Sequence, residues 1–307
     1  MDTKKLEVLL KAIETGNLTA AGDEMGFTQS GVSHLIKSIE NELGFQLLIR
    51  GKSGVRLTPD GEELLPTIRE IVNATERLSQ YSSNIRGMSS GRIRIGTYTS
   101  VSIFWMPRII QQFSRDYPGI RIELAELDND PLIEKHLSDG TIDFAFMSNP
   151  SGLNEWIPLA NDRIVALLPK DHPLAEKDFL SLSDIVNQPF IMPSAGFDSD
   201  IKHIIDGLGS EPKVVFSSMD FRAIVAMVQH GLGISVVPEM ILSDIKTDVV
   251  IKEFSPCQYR PLGIAVRSLA NASLASRTFI KYARNVIMGT PMEEYNSQRS
   301  TSNEDPV

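Results

Sequence analysis

Apolar residues open the chain at helical spacing. Leu6, Leu9, Leu10 and Ile13 share one face, and Gly16-Asn17 closes the run. A short second helix is predicted over residues 18–25 and stops at Gly26, a residue suited to positive φ or close backbone approach. Thr28 is the expected N-cap of a third helix, which puts Val32, Leu35, Ile36 and Ile39 on one face and ends at Gly44. Two β-like runs, Leu47–Ile49 and Val55–Leu57, flank Arg50-Gly51-Lys52-Ser53-Gly54 and predict a hairpin. From Pro59 a long helix is expected. Leu64, Ile68, Ile71, Thr75 and Leu78 follow 4-3-4-3 spacing, with Leu65 and Val72 widening the stripe and Pro66 as a kink point. Residues 82–91 read as a hinge.

The pattern then changes. Strands are predicted at Arg92–Thr97, Ile120–Glu126, Thr141–Met147, Arg163–Pro169, Phe190–Met192, Lys213–Ser217, Gly233–Val237 and Leu262–Arg267. Helices are predicted at Val101–Tyr117, Pro131–Ser138, 198–208, 220–231 and 273–288. Such alternation argues for an α/β domain with a mainly parallel sheet covered on its faces. The polar tail 291–307 lacks apolar periodicity and is expected to be disordered.

Helices two and three, joined by a tight Gly-containing turn, make a helix-turn-helix. The third helix offers small polar groups on its first turns, where base edges of a major groove would be met. Thr28, Gln29, Ser30, Ser33, His34 and Lys37 are the candidates. Gln29 suits bidentate bonding to adenine, the hydroxyls suit phosphate or base, and His34 and Lys37 supply donors. The same pattern also serves a solvated helical hairpin. The hairpin that follows brings Arg50, Lys52 and Arg56 with no acid between them, a wing suited to phosphate. Gly51-Lys52-Ser53 is not a P-loop, because Gln46 stands where that motif needs glycine and no helix follows. The seam Leu64, Ile68, Ile71 and Leu78 on an exposed connector predicts a dimer; packing on the chain's own domain is the alternative.

Charge and composition narrow the functions. The 307 residues carry a net charge of −9, yet residues 1–58 balance seven basic against seven acidic side chains. The acidity therefore lies beyond Thr58, and a basic stripe remains available at the front. No apolar run is long enough to span a membrane, and residues 1–17 lack the form of an export signal, so a cytoplasmic location is expected. The single Cys257 excludes a disulfide framework and a multi-cysteine metal site. His34, His136, His172, His203 and His230 show no metal-ligand spacing, and no Gly-x-Ser-x-Gly elbow is present. Gly231-x-Gly233 leads into a strand, the reverse of a dinucleotide fingerprint. An enzyme is thus disfavoured and no cofactor or metal is expected. A solute-binding protein would suit the second half alone, but not the helix-turn-helix or the missing signal.

Residues 1–65 resemble the N-terminal domain of LysR-type transcriptional regulators. The resemblance rests on Ala21-Gly22, Thr28-Gln29-Ser30, Val32-Ser33, Ile36-Lys37, Ile39-Glu40, Leu43-Gly44, Arg50 and Leu57-Thr58-Pro59-Asp60-Gly61. Gly231-Leu232-Gly233-Ile234 and Val236-Val237-Pro238 are similar to a recurrent segment of the family's second half. Three positions depart from the pattern: Gly22 where alanine is usual, Leu47-Leu48 where Leu-Phe is usual, and His34 where Arg or Gln is frequent. The last leaves base preference at that position open.

The resemblance implies a multidomain fold: a winged helix-turn-helix (1–58), a linker and dimerisation helix with hinge (59–90), and a two-lobed α/β domain like a type 2 periplasmic-binding protein (91–290). Lobe I would comprise 91–161 and 268–290, and lobe II 162–267. It implies a sequence-specific regulator on a palindromic double-stranded DNA operator, self-association to a dimer and a tetramer, and a small effector between the lobes, with RNA polymerase a further candidate partner. In such a fold the strand ends open into the cleft. Hydroxyls and free amides at a helix start suit an anion. Thr97, Thr99, Ser100, Ser148 and Ser194 are therefore the expected cleft-lining groups for a small anionic effector, although each also suits plain helix capping. Phe197 and Met219 are expected in the core, with lining of the cleft as the alternative, and Met219-Asp220 is an alternative cap for the next helix.

Overall fold

The computed structural model describes residues 2–51, 54–85, 91–150, 155–193, 199–207 and 212–289. Lys52, Ser194, Phe197, the tail 291–307 and residues 86–90 of the expected hinge lie outside the described residues. The chain falls into two compact units, residues 1–90 together with 138–141, and residues 91–137 together with 142–307.

The first unit begins with α1 (Thr3–Thr15), α2 (Leu18–Met25) and α3 (Gln29–Leu43), each ending on a left-handed glycine: Gly16, Gly26 and Gly44. The caps are local chemistry. Asp2, Asn17 and Thr28 accept from first-turn amides, satisfying donors that a helix start leaves unpaired. β1 (Leu48–Gly51) and β2 (Gly54–Leu57) form an antiparallel hairpin with Arg50 opposite Val55 and Ile49 opposite Arg56. α4 (Pro59–Ile85) carries Pro66 inside it. The core joins Leu6, Leu9, Val32, Ile36, Ile39 and Leu47 to Ile68 and Val72 of α4.

That core corrects the seam. Ile68 is only 5% exposed and Leu64 packs against the same cluster, so both serve their own unit. Ile71 and Leu78 remain exposed, Leu78 at 69%.

The hairpin is docked by backbone. The Val55 amide donates to the Gly16 carbonyl at 2.9 Å. Gly54 has φ +102°, and a Cβ there would lie 2.4 Å from that same oxygen. Gly54→Ala is expected to cost this unit about 1–3 kcal/mol in thermal unfolding, through overpacking and left-handed strain. Unchanged stability would mean that the wing stands off the turn.

The second unit runs β3 (Gly91–Thr97), α5 (Thr99–Phe104), α6 (Met106–Asp116), β4 (Ile120–Glu126), α7 (Asp130–Ser138), β5 (Phe144–Met147) and β6 (Glu155–Leu168). It continues with α8 (Leu182–Val186), β7 (Pro189–Pro193), α9 (Ser199–Asp206), β8 (Lys213–Ser218), α10 (Phe221–Gln229), β9 (Ser235–Pro238), β10 (Val250–Val266) and α11 (Leu274–Met288). The helix expected at Val101–Tyr117 starts earlier and breaks in two at Trp105. Pro107 explains the break: it lacks the N–H that would bond the Ile103 carbonyl one turn back.

The sheet is mixed, not mainly parallel. Its order is β4-β3-β5-β10-β6-β9. β3 runs parallel to β4 and β5, while β10 is antiparallel to β5 and β6, and β6 is antiparallel to β9. β7 and β8 form a separate parallel pair. Two cores result. One gathers Phe113, Phe144, Phe146 and Phe279 around Leu262–Val266 of β10. The other gathers Phe190, Ile224, Val228 and Phe254 around Ile164–Leu168 of β6. β10 feeds both cores, through Phe254 and through Leu262–Val266, and so links two lobes.

Candidate functional site

The turn between α2 and α3 is closed by the Phe27 amide, which donates to the Gly22 carbonyl at 2.8 Å. A Cβ on Gly22 would lie 2.6 Å from the Phe27 carbonyl oxygen, so the glycine permits this close approach. Thr28 Oγ1 accepts from the Gly31 amide at 3.1 Å and lies 3.1 Å from Ser30 Oγ. With Val32, Ile36 and Ile39 buried, α3 turns outward Gln29, Ser30, His34, Lys37 and also Asn41, which the sequence reading passed over. Their spacing of three and four residues makes one stripe. His34, Lys37 and Asn41, with Ser38 and Glu42, line a shallow concavity.

Ser33 sits half-buried at the edge of this stripe and accepts from Arg50 Nη1 at 2.6 Å. The bond fastens the wing to the recognition stripe, so both meet a surface together. Arg56 is exposed on the partner strand.

In the second unit, the expected cleft residues part company. Thr97 is buried, and its hydroxyl donates to the Tyr98 carbonyl at 3.1 Å. Ser100 is also buried and accepts from Arg260 Nη2 at 2.7 Å. Ser148 is buried, and its amide donates to the Tyr98 hydroxyl at 3.1 Å. None of these three lines the cavity described next; all three are buried. Thr99 alone among the described candidates lines a cavity of about 290 Å³, beside Ile103, Asp128, Met219, Asp220, Phe221, Arg222, Ile241 and Ile245. Met219, expected in the core, is 68% exposed on that wall. Asp220 caps α10 by accepting from the Arg222 amide at 2.8 Å.

Behind the cavity lies an ion pair missing from the sequence reading. Arg260 and Asp162 stand opposite each other on β10 and β6 and are 2% and 1% exposed. Arg260 Nε donates to Asp162 Oδ2 at 2.9 Å, and Asp162 Oδ1 accepts from the Met240 amide at 3.1 Å. The Arg260 guanidinium also lies 5.2 Å from the Tyr98 ring centre, within cation–π range. The Tyr98 hydroxyl donates to Asp130. No motif marks these residues; only strand pairing brings them together.

With this geometry in place, comparison with known proteins decides the family. Residues 3–62 match the bacterial regulatory helix-turn-helix protein, lysR family, and residues 86–287 match the LysR substrate binding domain. The chain belongs to the LysR family. YvbU of Bacillus subtilis, an uncharacterized HTH-type transcriptional regulator, is 33% identical over 287 residues, spanning 92% of this chain and 98% of its own. BenM of Acinetobacter baylyi, an HTH-type transcriptional regulator, is 28% identical over 291 residues, spanning 89% and 92%. Among solved structures, full-length OxyR of Pseudomonas aeruginosa shares the fold with a TM-score of 0.72 at 22% identity, covering 94% of this chain and 97% of that one. Full-length BenM gives a TM-score of 0.57 at 26% identity, covering 93% and 96%. This LysR chain is therefore a transcriptional regulator with an effector-binding domain, and not an enzyme. No helix among its described residues is long and apolar enough to cross a membrane.

Proposed function

We propose that this LysR regulator reads a palindromic operator with two copies of α3 and responds to a small effector held in the cleft of its second unit. The observation that carries the reading is the stripe Gln29, Ser30, His34 and Lys37 with Arg50 of the wing tied to Ser33 beside it. Thr28 and Ser33 set the helix start and the wing contact, and Arg50, Lys52 and Arg56 supply phosphate contacts. Two such units would sit about one helical turn, or a multiple, apart. Working boundaries are 1–58, 59–90 and 91–290, with lobe I at 91–161 and 268–290 and lobe II at 162–267.

Ile71 and Leu78 on α4 support pairing of two chains, and the exposed Val214, Val215 and Phe216 on the edge strand β8 support further association to a tetramer. The proteins act in the cytoplasm, where DNA and RNA polymerase are at hand. An effector would act through its differential affinity for two arrangements of the chain. The anion expected from the hydroxyl runs is not carried forward, because Asp128 already holds the amide and hydroxyl of Thr99.

The test is a footprint of purified protein on the DNA upstream of its own gene, at several salt concentrations. Protection over several helical turns with a hypersensitive band inside is expected. Only weak, sequence-indifferent binding would overturn the reading for that DNA. Lys37→Ala is expected to lower the slope of log affinity against log salt by about 0.9, the value for one lost phosphate contact. An unchanged slope would place Lys37 on a base edge or off the DNA.

A further inference from the structure

The start of α5 is ringed by the protein's own carboxylates. They come from alternate positions at and beyond the end of β4. Glu126 Oε1 accepts from Ser102 Oγ at 3.3 Å. Asp128 accepts from the Thr99 amide at 2.8 Å and from the Thr99 hydroxyl at 2.6 Å. Asp130 accepts from the Tyr98 hydroxyl. An anion offered to this helix start finds its place taken, and it would bring like charges into contact in a partly desolvated site. Behind, the Arg260 guanidinium is committed to Asp162 and Ser100.

The cavity itself is mostly apolar. Ile103, Phe221, Ile241 and Ile245 line it together with the side chain of Met219. Its charged lining consists of Asp128, Asp220 and Arg222, two carboxylates against one guanidinium. Its volume of about 290 Å³ matches a molecule of modest size.

We propose that the cleft takes a small organic cation, a protonated amine on an apolar body, with Asp128 as the residue that selects its charge. The inference rests on the cleft being the effector site. The ammonium would sit against the Asp128 carboxylate, whose oxygens retain acceptor capacity beyond the two Thr99 bonds, forming a charge-assisted hydrogen bond. The apolar body would lie against Ile103, Phe221, Ile241 and Ile245. Thr99 acts as a positioning residue: its amide and hydroxyl hold both carboxylate oxygens in place.

The experiment is calorimetric titration of the full chain with three shape-matched probes: 2-phenylethylamine, phenylacetate and 2-phenylethanol. Saturable binding of the amine is expected, at least tenfold tighter than either other probe. Asp128→Asn keeps an acceptor for the Thr99 amide and offers an N–H to its hydroxyl, so the fold should hold, as its unfolding midpoint will report. The amine should then weaken about tenfold. Arg222→Gln removes the opposing cation and should tighten the amine a few-fold, which tests the charge balance without touching Asp128. Absence of amine binding, preference for the acid, or amine affinity indifferent to Asp128→Asn would each overturn the proposal. Binding of the acid at the same cleft would leave the effector-site reading standing and remove only the charge assignment. The footprint, which needs no ligand, judges DNA reading separately.

Discussion

Arg260→Met will lower the unfolding free energy of the second unit by about 3–5 kcal/mol, the cost of stripping one partner from a buried ion pair. The cause is what remains. Asp162, 1% exposed, would keep its charge away from water with its guanidinium partner gone, while the Met240 amide still donates to it. Ser100 would lose its guanidinium donor as well. Adding Asp162→Asn to Arg260→Met removes the stranded charge and keeps an acceptor for Met240, so the double variant should recover at least half of the loss. Urea unfolding with an unchanged m-value is the measurement. A single variant within about 1 kcal/mol of the parent would mean that water reaches the pair in solution.

Ser33→Arg is expected to reduce site-specific DNA binding about a hundredfold, roughly 3 kcal/mol. Ser33 is the acceptor that ties Arg50 of the wing to α3. An arginine there opposes Arg50 charge to charge and pushes the wing off the recognition stripe. Binding to unrelated DNA should hold or rise, since a positive charge is added. Gel retardation with specific and scrambled duplexes separates the two effects. Intact specific binding would sink the assignment of α3 as the reading helix.

How far the sequence carried depended on where the information lay. The three N-terminal helices were legible because each is a local object: a capping Asp, Asn or Thr, an apolar stripe, and a left-handed glycine. The long strands β6 and β10 were only half legible. Their hidden halves, around Glu155–Asp162 and Val250–Pro261, carry prolines and polar residues and show little alternation, since they cross between lobes and do not cover one face. The mixed sheet followed from that omission, because β6 and β10 between them supply the antiparallel pairings. In the cleft, Thr99 was visible as a residue at a helix start, but Asp128 was not. Its importance comes from a contact 29 positions away in sequence, for which no spacing rule exists. The same holds for Arg260 and Asp162, 98 positions apart.

The burial of Ile68 and Val72 beneath the first three helices has a practical corollary for protein engineering. A graft that joins this reading head to a foreign sensor cannot be spliced at Thr58, where the wing ends. It would leave two apolar anchors behind with the discarded half and open a void under α1. The splice belongs past Val72, so the first turns of the long helix travel with the head as its pedestal. Any twist delivered to that helix from beyond the splice then reaches the DNA face through packed side chains, with no slack to absorb it.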